Sequence, residues 1–136
     1  MIRPFVVVAA MAVFAVAVVV AGASRDAGND LVSRRSVTTA FARVGEPLTV
    51  RLDMAQADPG SPVDVIYVPE AEDVPEPPFE VDVFEAAGSA REHARLVGSV
   101  ATPRTQVEHR RNVLLIVSSS VSDQRRQRLL AALRSL

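Results

Sequence analysis

Two histidines, each preceded by an acid, are the residues whose types could support hydrolytic chemistry. His93 follows Glu92 in "REHAR", and His109 follows Glu108 in "VEHRR". A catalytic zinc site would need both imidazoles to meet in space with a carboxylate as third ligand. No H-x-x-x-H or H-E-x-x-H spacing joins them, and their charged neighbours are typical of solvated loops or strand ends. The sequence therefore predicts no catalytic residue, metal site or cofactor, and leaves a metal-dependent hydrolase using His93, His109 and Glu92 as an alternative.

A second group that could do chemistry is a cluster of serines near the C-terminus. Its members are Ser118, Ser119, Ser120 and Ser122. A serine nucleophile needs an adjacent base and, in one common arrangement, a G-x-S-x-G turn, which is missing here. Ser120 with Asp123 three residues later fits a variant of the helix capping box instead. We therefore expect a strand end followed by a helix over 122–136.

The strongest candidate contact site is an acidic, proline-rich stretch, "PEAEDVPEPP" at 69–78. Its acids are Glu70, Glu72, Asp73 and Glu76. Four prolines lack N–H donors and fix φ, which predicts an extended loop and not a helix or central strand. Carboxylates suit Ca²⁺, but the spacing does not match a D-x-D-x-D-G loop. We expect these four acids to contact a protein partner or a cation.

Charge is distributed unevenly along the chain. Residues 52–90 contain ten acids and no base, whereas residues 91–136 contain nine arginines and three acids. The two parts could attract each other within one domain or attract a partner of opposite charge. A net charge of −1, with no basic surplus, argues against nucleic-acid binding. The absence of cysteine excludes disulfides and thiolate chemistry.

An uncharged apolar run occupies Phe5–Ala23 near the N-terminus. As a helix it would span about 28 Å, close to the hydrocarbon thickness of a bilayer. Its length favours a retained transmembrane anchor, whereas the small residues Ala21 and Ala23 favour cleavage as a signal peptide. We expect residues 1–23 to be an anchor, with secretion after cleavage at Ala23 as the alternative.

The orientation of that anchor is open to two interpretations. The usual export arrangement, a short N-terminal tail before one apolar run, places the C-terminal domain in the periplasm or exterior. Arg25, Arg34 and Arg35 beyond the run favour a cytoplasmic domain under the positive-inside rule. We expect an extracytoplasmic domain on a single-pass membrane protein, with the cytoplasmic domain as the alternative.

The remaining chain divides into a polar juxtamembrane linker at 24–35 and one β-rich domain at 36–136. Alternating apolar and polar residues predict strands at 36–44, in "PLTVRLDM", "VDVIYV" and "FEVDVFEA", and at 95–101, with Glu80, Asp82 and Phe84 facing outward. An apolar run, "NVLLIVSS", predicts a buried central strand. A turn is expected at Ala87–Ala90 in "AGSA".

These strands predict a mainly β fold, a small β-sandwich that ends in one short C-terminal helix. The segments "VGEPLTVRLDM" and "FEVDVFEAAGS" resemble strands of bacterial immunoglobulin-like modules, and the resemblance implies an immunoglobulin-like layout. No residue role follows from it.

The expected function is that of a membrane-anchored envelope protein, held by residues 5–23, whose domain is a non-catalytic interaction or accessory module for a protein partner. The alternatives are the hydrolase described above and a cytoplasm-facing, membrane-tethered scaffold or sensor.

Overall fold

A computed structural model describes residues 31–100 and 105–136. The predicted anchor at 1–23 and residues 24–30 of the predicted linker lie outside this described part. Among the described residues, no helix has both the length and the apolar character needed to cross a membrane.

Four helices, five strands and one 3-10 turn follow each other along the described chain. They are α1 (Arg34–Arg43), β1 (Leu48–Asp53), α2 (Met54–Ala57), β2 (Val63–Pro69), the 3-10 turn (Glu70–Glu72), β3 (Phe79–Phe84), α3 (Ala87–Val100), β4 (Gln106–Arg110), β5 (Val113–Val117) and α4 (Asp123–Arg134).

The five strands form one open antiparallel sheet in the order β1-β2-β3-β5-β4. With 42% helix and 28% strand, the fold is mixed α/β, so the predicted mainly β sandwich is wrong. The physical reason is visible in β3 and β5, in which every residue is buried. A sheet whose central strands are buried on both faces must pack against other elements on both sides. Here helices pack on both faces, and no second sheet does so among the described residues.

Two hydrophobic clusters lie on opposite faces of the sheet. On one face, Phe41 of α1 and Leu129 of α4 pack with alternate strand residues such as Val81 and Leu115. On the other face, Val97 of α3 packs with strand residues including Leu114. The fold therefore has three layers: α1 and α4, the sheet, and α3. We call the two sides of the sheet the α1/α4 face and the α3 face.

The strand predicted at 36–44 is a helix, α1. Val37, Ala40 and Phe41 are its buried residues, and their spacing of three and four is helical. Ser33 caps its start, because its side chain accepts a hydrogen bond from the backbone N–H of Ser36. Val37, Thr39 and Phe41, at every second position, suggested one face of a strand only because Ala40 was not counted as part of an apolar stripe.

The predicted turn at 87–90 and strand at 95–101 are replaced by α3. Ala90, His93, Ala94 and Val97 recur at helical spacing, and all but Ala94 are fully buried. Small and polar residues in the first turn hid this pattern from the sequence analysis. Residues 101–104 lie outside the described part, so the predicted break at Pro103 does too.

The register fixes two opposite ends of the sheet. At the Leu48 end, Leu48 pairs with Pro69, and Phe79 pairs with Val117. At the Asp53 end, Asp53 pairs with Val65, and the two-residue β4–β5 loop follows Arg110. A six-residue strand spans about 20 Å, so the acidic 69–78 segment at the Leu48 end is well separated from the Asp53 end.

Candidate functional site

The two histidines occupy unlike environments. His93 lies inside, on α3, with its ring centroid 5.0 Å from that of Phe84. Neither ring nitrogen has a hydrogen-bond partner, and burial lowers its pKa to about 4. His109 lies in the exposed part of β4. The expectation that both histidines are solvated is therefore wrong for His93, which is a neutral core residue near pH 7.

The acids beside the histidines do not complete a metal site. Glu92 pairs with Arg95, whose Nη2 lies 2.7 Å from Oε1, and this contact lowers the pKa of Glu92. Glu108 lies exposed on β4, where the side-chain nitrogen of Gln106 approaches it at 3.4 Å. Within residues 31–100 and 105–136, no group of three or more His, Asp or Glu side chains could hold a metal ion. The geometry gives the hydrolase alternative no support.

The serine cluster is a loop that leads into α4. Ser122, and not Ser120, caps the helix: its Oγ accepts from the backbone N–H of Arg125 at 3.2 Å. The hydroxyls of Ser118 and Ser120 lie 3.0 Å apart. The cluster therefore has a structural role in ending β5 and starting α4.

The four acids predicted as a contact site differ in their availability. Glu72 is already bound, because its Oε1 accepts from Nη2 of Arg125 at 2.6 Å. Glu76 is half-buried and also interacts with the protein. Glu70 and Asp73 are exposed. The segment therefore presents two solvent-facing carboxylates beside the start of β1, because the backbone N–H of Glu70 donates to the carbonyl of Pro47.

Sequence analysis missed a pair of buried acids on β3. Glu80 and Asp82 were expected to face outward, but they lie on the α3 face and are only 7% and 1% exposed. Burial, the charge of Glu80 and a hydrogen bond to it raise the pKa of Asp82 well above its ordinary value. One oxygen of Asp82 has no hydrogen-bond partner. The carboxyl group of Asp82 is therefore stabilised in its protonated form.

Arg34 forms a second ion-pair cluster at the Asp53 end. Its Nε lies 2.6 Å from Oδ2 of Asp64, and its Nη1 lies 3.0 Å from Oδ2 of Asp53. These hydrogen bonds raise the pKa of Arg34, and they lower the pKa of Asp53. The cluster fixes the start of α1 to β1 and β2. The acidic part of the chain, 52–90, also contacts the arginine-rich part, 91–136, through the ion pair of Glu72 with Arg125.

The two edges of the sheet differ in character. On β4, Glu108, His109 and Arg110 are exposed. On β1, Val50 and Leu52 are 49% and 42% exposed. Charged residues protect an edge strand from pairing with other chains, whereas exposed apolar residues leave it available. The sequence could not show which strands lie at the edges, because that depends on the order of the strands in the sheet.

A groove of about 620 Å³ runs along α1 beside the end of α4 and the β4–β5 loop. Arg35, Arg43 and Arg111 line it, together with hydroxyl groups such as that of Thr39. Its described lining contains no Asp or Glu side chain. From the sequence, Arg35 entered only the argument on anchor orientation, Arg111 was counted among the nine arginines of 91–136, and nothing singled out Arg43.

Comparison of the chain with models of protein families, with curated proteins and with solved structures gave no match in any of the three. The fold alone therefore defines the class, a small mixed α/β domain with an open five-strand antiparallel sheet.

Proposed function

We propose that this chain is a membrane-anchored envelope protein whose domain is a non-catalytic interaction module facing the periplasm or exterior. Residues 5–23 would form the anchor, and β1 would bind an extended segment of a partner protein. The observation that carries the proposal is the apolar edge of β1, which leaves Val50 and Leu52 in solvent. Addition of a strand to such an edge is a common mode of peptide recognition.

The geometry of β1 limits where such a segment would pair. The register shifts between Val50 and Leu52, so Arg51 lies in a bulge. Nη2 of Arg51 donates to the carbonyl of Pro75 at 3.2 Å. Regular pairing is therefore confined to the residues before the bulge, Leu48–Val50. These residues adjoin the acidic segment.

Charge indicates the chemistry of the partner. Glu70 and Asp73 are exposed beside the Leu48 end of β1. An extended segment with apolar residues for the β1 surface and an Arg or Lys for these carboxylates would complement both features. The acids predicted from the sequence would thus act as the charged rim of an apolar contact.

A second copy of this chain fits the edge less well. In an antiparallel pairing of two β1 strands, the Leu48 end of one copy would lie beside the Asp53 end of the other. Acids occupy both ends, with Glu70 and Asp73 at one and Asp53 and Asp58 at the other. Arg34 neutralises only part of that charge. Like charges placed together disfavour this pairing, so a basic partner is the better match.

The membrane part of the proposal is supported by the length and apolar character of 5–23 and needs its own test. The intact mass of the native protein from membrane and soluble fractions distinguishes the two fates of the run. A full-length chain that resists alkaline extraction supports an anchor, whereas a chain starting at Ser24 in the soluble fraction contradicts it. Accessibility of a C-terminal tag on intact cells tests the extracytoplasmic orientation against the cytoplasmic scaffold.

Site-specific photo-crosslinking tests the binding edge. A photoreactive residue replaces Leu52, just beyond the expected pairing at Leu48–Val50 and within reach of a bound segment, in the full chain, and the matched control replaces Glu108 on the opposite edge. We expect a discrete adduct from position 52 in intact cells and none from position 108. Introducing Val50→Lys should abolish the adduct, because a charged side chain protects the edge. Equal adducts from both positions, or an adduct unaffected by Val50→Lys, would reject the proposal.

A further inference from the structure

We propose that the groove lined by Arg35, Arg43 and Arg111 binds phosphate groups of anionic lipid headgroups. This contact would hold the Asp53 end of the sheet against the membrane surface. The inference rests on the proposed anchor at 5–23 and goes beyond the proposed role of β1.

The first support is the position at which the chain enters the fold. Asn112, buried in the β4–β5 loop, holds the backbone of Val32 at two points. Its Oδ1 accepts from the N–H of Val32 at 2.6 Å, and its Nδ2 donates to the carbonyl at 3.1 Å. The chain therefore enters beside Arg111, and Leu31 and Val32 themselves line the groove.

The length of the connecting segment sets how far the groove can lie from a membrane. Seven residues, 24–30, separate the apolar run from Leu31, the first described residue of the domain. Fully extended, the chain from Ala23 to Leu31 spans at most about 28 Å. A domain tethered this closely has its N-terminal side near the headgroups, where the potential of an anionic surface acts over about 8 Å.

The second support is positive charge that no carboxylate of residues 31–100 and 105–136 neutralises. No carboxylate of the described residues forms an ion pair with Arg35, Arg43 or Arg111. The oxygen of Leu136 in the lining already accepts from Nε of Arg110 at 2.7 Å. By contrast, Arg34 and Arg125 each contact two acids. The groove thus offers guanidinium groups and hydroxyls, the donors that bind phosphate.

The third support is the backbone of Arg111. Its φ of 53° lies in the left-handed region, which an arginine rarely adopts. Gly or Asn would suit this loop position better. An arginine at a strained position in the β4–β5 loop, next to the point where the chain enters, is explained by a binding role. Stability alone does not explain it.

The distribution of charge also predicts how the domain is oriented relative to the membrane surface. Arg35 and Arg111 lie at the Asp53 end and Arg43 at the opposite end of α1, whereas Glu70 and Asp73 lie at the Leu48 end. Contact of Arg35 and Arg111 with headgroups would therefore point the acidic segment, and the Leu48–Val50 part of β1, away from an anionic surface. Repulsion of those acids by the membrane would favour the same orientation.

Lipid-dependent fluorescence quenching tests the inference on the full chain in nanodiscs. The chain has no cysteine, so one introduced cysteine labels one site. Thr39→Cys places a fluorophore in the groove, and Asp73→Cys places the control at the opposite end. The quencher is a nitroxide carried on a lipid headgroup. With phosphatidylglycerol present, we expect severalfold stronger quenching at position 39 than at position 73, and a loss of this difference in pure phosphatidylcholine.

Variants identify the groups responsible. Each arginine near an anionic surface contributes roughly fivefold to association, so Arg35→Gln with Arg111→Gly should weaken association roughly 25-fold and remove the difference between the two labels. Arg95→Gln, which removes one positive charge from an exposed site on α3, should leave the difference unchanged. Circular dichroism confirms that the variants are folded.

Several outcomes would overturn the inference. Equal quenching at both positions, quenching that does not depend on phosphatidylglycerol, or an equal effect of Arg95→Gln would each reject the lipid contact. Loss of quenching on adding millimolar inorganic phosphate at constant ionic strength would assign the groove to free phosphate instead. A chain that stays in the nanodisc without groove quenching rejects this inference alone. A chain that the nanodisc does not retain rejects the proposed anchor as well.

Discussion

Glu46 and Arg125 form a two-point ion pair between segments that lie 79 residues apart in the chain. Nε donates to Oε1 at 2.7 Å, and Nη2 donates to Oε2 at 3.0 Å. The guanidinium also lies 5.5 Å from the ring centroid of Phe79. Glu46 is only 5% exposed, so water screens the pair weakly. The pair fastens the start of α4 to the Leu48 end of the sheet.

We predict that Glu46→Gln lowers the free energy of unfolding by about 2 to 3 kcal/mol, because Arg125 would keep only Glu72 as a charged partner. Chemical denaturation of the full chain in detergent, followed by circular dichroism, measures the change. Glu92→Gln is the matched control, since Arg95 is 71% exposed in its side chain and solvent screens such a surface pair. If the two variants lost the same free energy of unfolding, the buried Glu46–Arg125 pair would contribute no more than the exposed pair, which would contradict the prediction.

The sequence predicted segments better than it predicted their arrangement. The stretches that begin near Leu48, Val63, Phe79 and Val113 do form strands. Strict alternation and short apolar runs are direct sequence signals of strands. β4 was missed, since its charged exposed residues carry no such signal. The helices α1 and α3 give a weak sequence signal, because their apolar stripes include alanine and histidine, which are less distinctive core residues than Val, Leu or Phe. Without these helices, a two-sided sheet could only be interpreted as a sandwich.

The candidate surfaces depended on information that is not local. Val50 and Leu52 alternate with polar residues just as buried strand residues do, and only the strand order shows that they lie at an edge. Arg35 and Arg111 are 76 positions apart in sequence and line one groove because Asn112 brings Val32 to the β4–β5 loop. The acidic segment was visible in the sequence. Which of its carboxylates remain in solvent depends on Arg125.

Asp82→Asn should stabilise the protein at alkaline pH. In the folded state the pKa of Asp82 is raised by burial and by Glu80, so the folded form retains a proton that the unfolded chain releases. Stability from this group is therefore complete below the ordinary pKa of 3.8 and is lost as pH rises toward the folded pKa. Asparagine cannot ionise, so we expect a Tm above that of the unaltered protein at pH 8.

The Tm difference should narrow toward pH 4, where both proteins carry a neutral group at this position. Thermal unfolding at a series of pH values measures it. Asp73→Asn, on the exposed loop, is the control and should show no such trend. A difference that is constant with pH would mean that Asp82 is ionised in the folded protein.

His93 should make the fold sensitive to acid. Burial lowers its pKa from 6.5 to about 4, so between these values the unfolded chain binds a proton that the folded chain does not. Stability from the neutral imidazole is lost as pH falls through this range, by about 3 kcal/mol in total. We predict that His93→Leu reduces the dependence of Tm on pH between 7 and 4, by comparison with the exposed control His109→Gln. The same pH dependence in both variants would show that His93 does not contribute.

The apolar side of α4 should be needed for the core and not for lipid contact. Leu133 is 3% exposed and packs in the cluster on the α1/α4 face. We predict that Leu133→Asp lowers the free energy of unfolding by about 3 kcal/mol or more, as burial of an unpaired charge does. The double variant Leu130→Asp, Leu133→Asp should not fold. Gln127→Asp, on the exposed side of the same helix, should change stability by less than about 0.5 kcal/mol. Folded, soluble protein with both leucines replaced would rule out the packing role.

Arg111 offers a test in which stability and binding change in opposite directions. Its φ of 53° is strained for a side chain with a Cβ but open to glycine. We predict that Arg111→Gly leaves the free energy of unfolding unchanged or raises it by up to about 1 kcal/mol, whereas β-branched Arg111→Val lowers it by at least that amount. Chemical denaturation measures both. Arg128→Gly, in the interior of α4, should lose at least about 1 kcal/mol, because glycine is unfavourable there and the 3.5 Å contact of Arg128 with Glu46 is removed. If Arg111→Gly destabilised the protein as much as Arg128→Gly does, the arginine would be a structural residue of the hairpin and its strain would need no binding role.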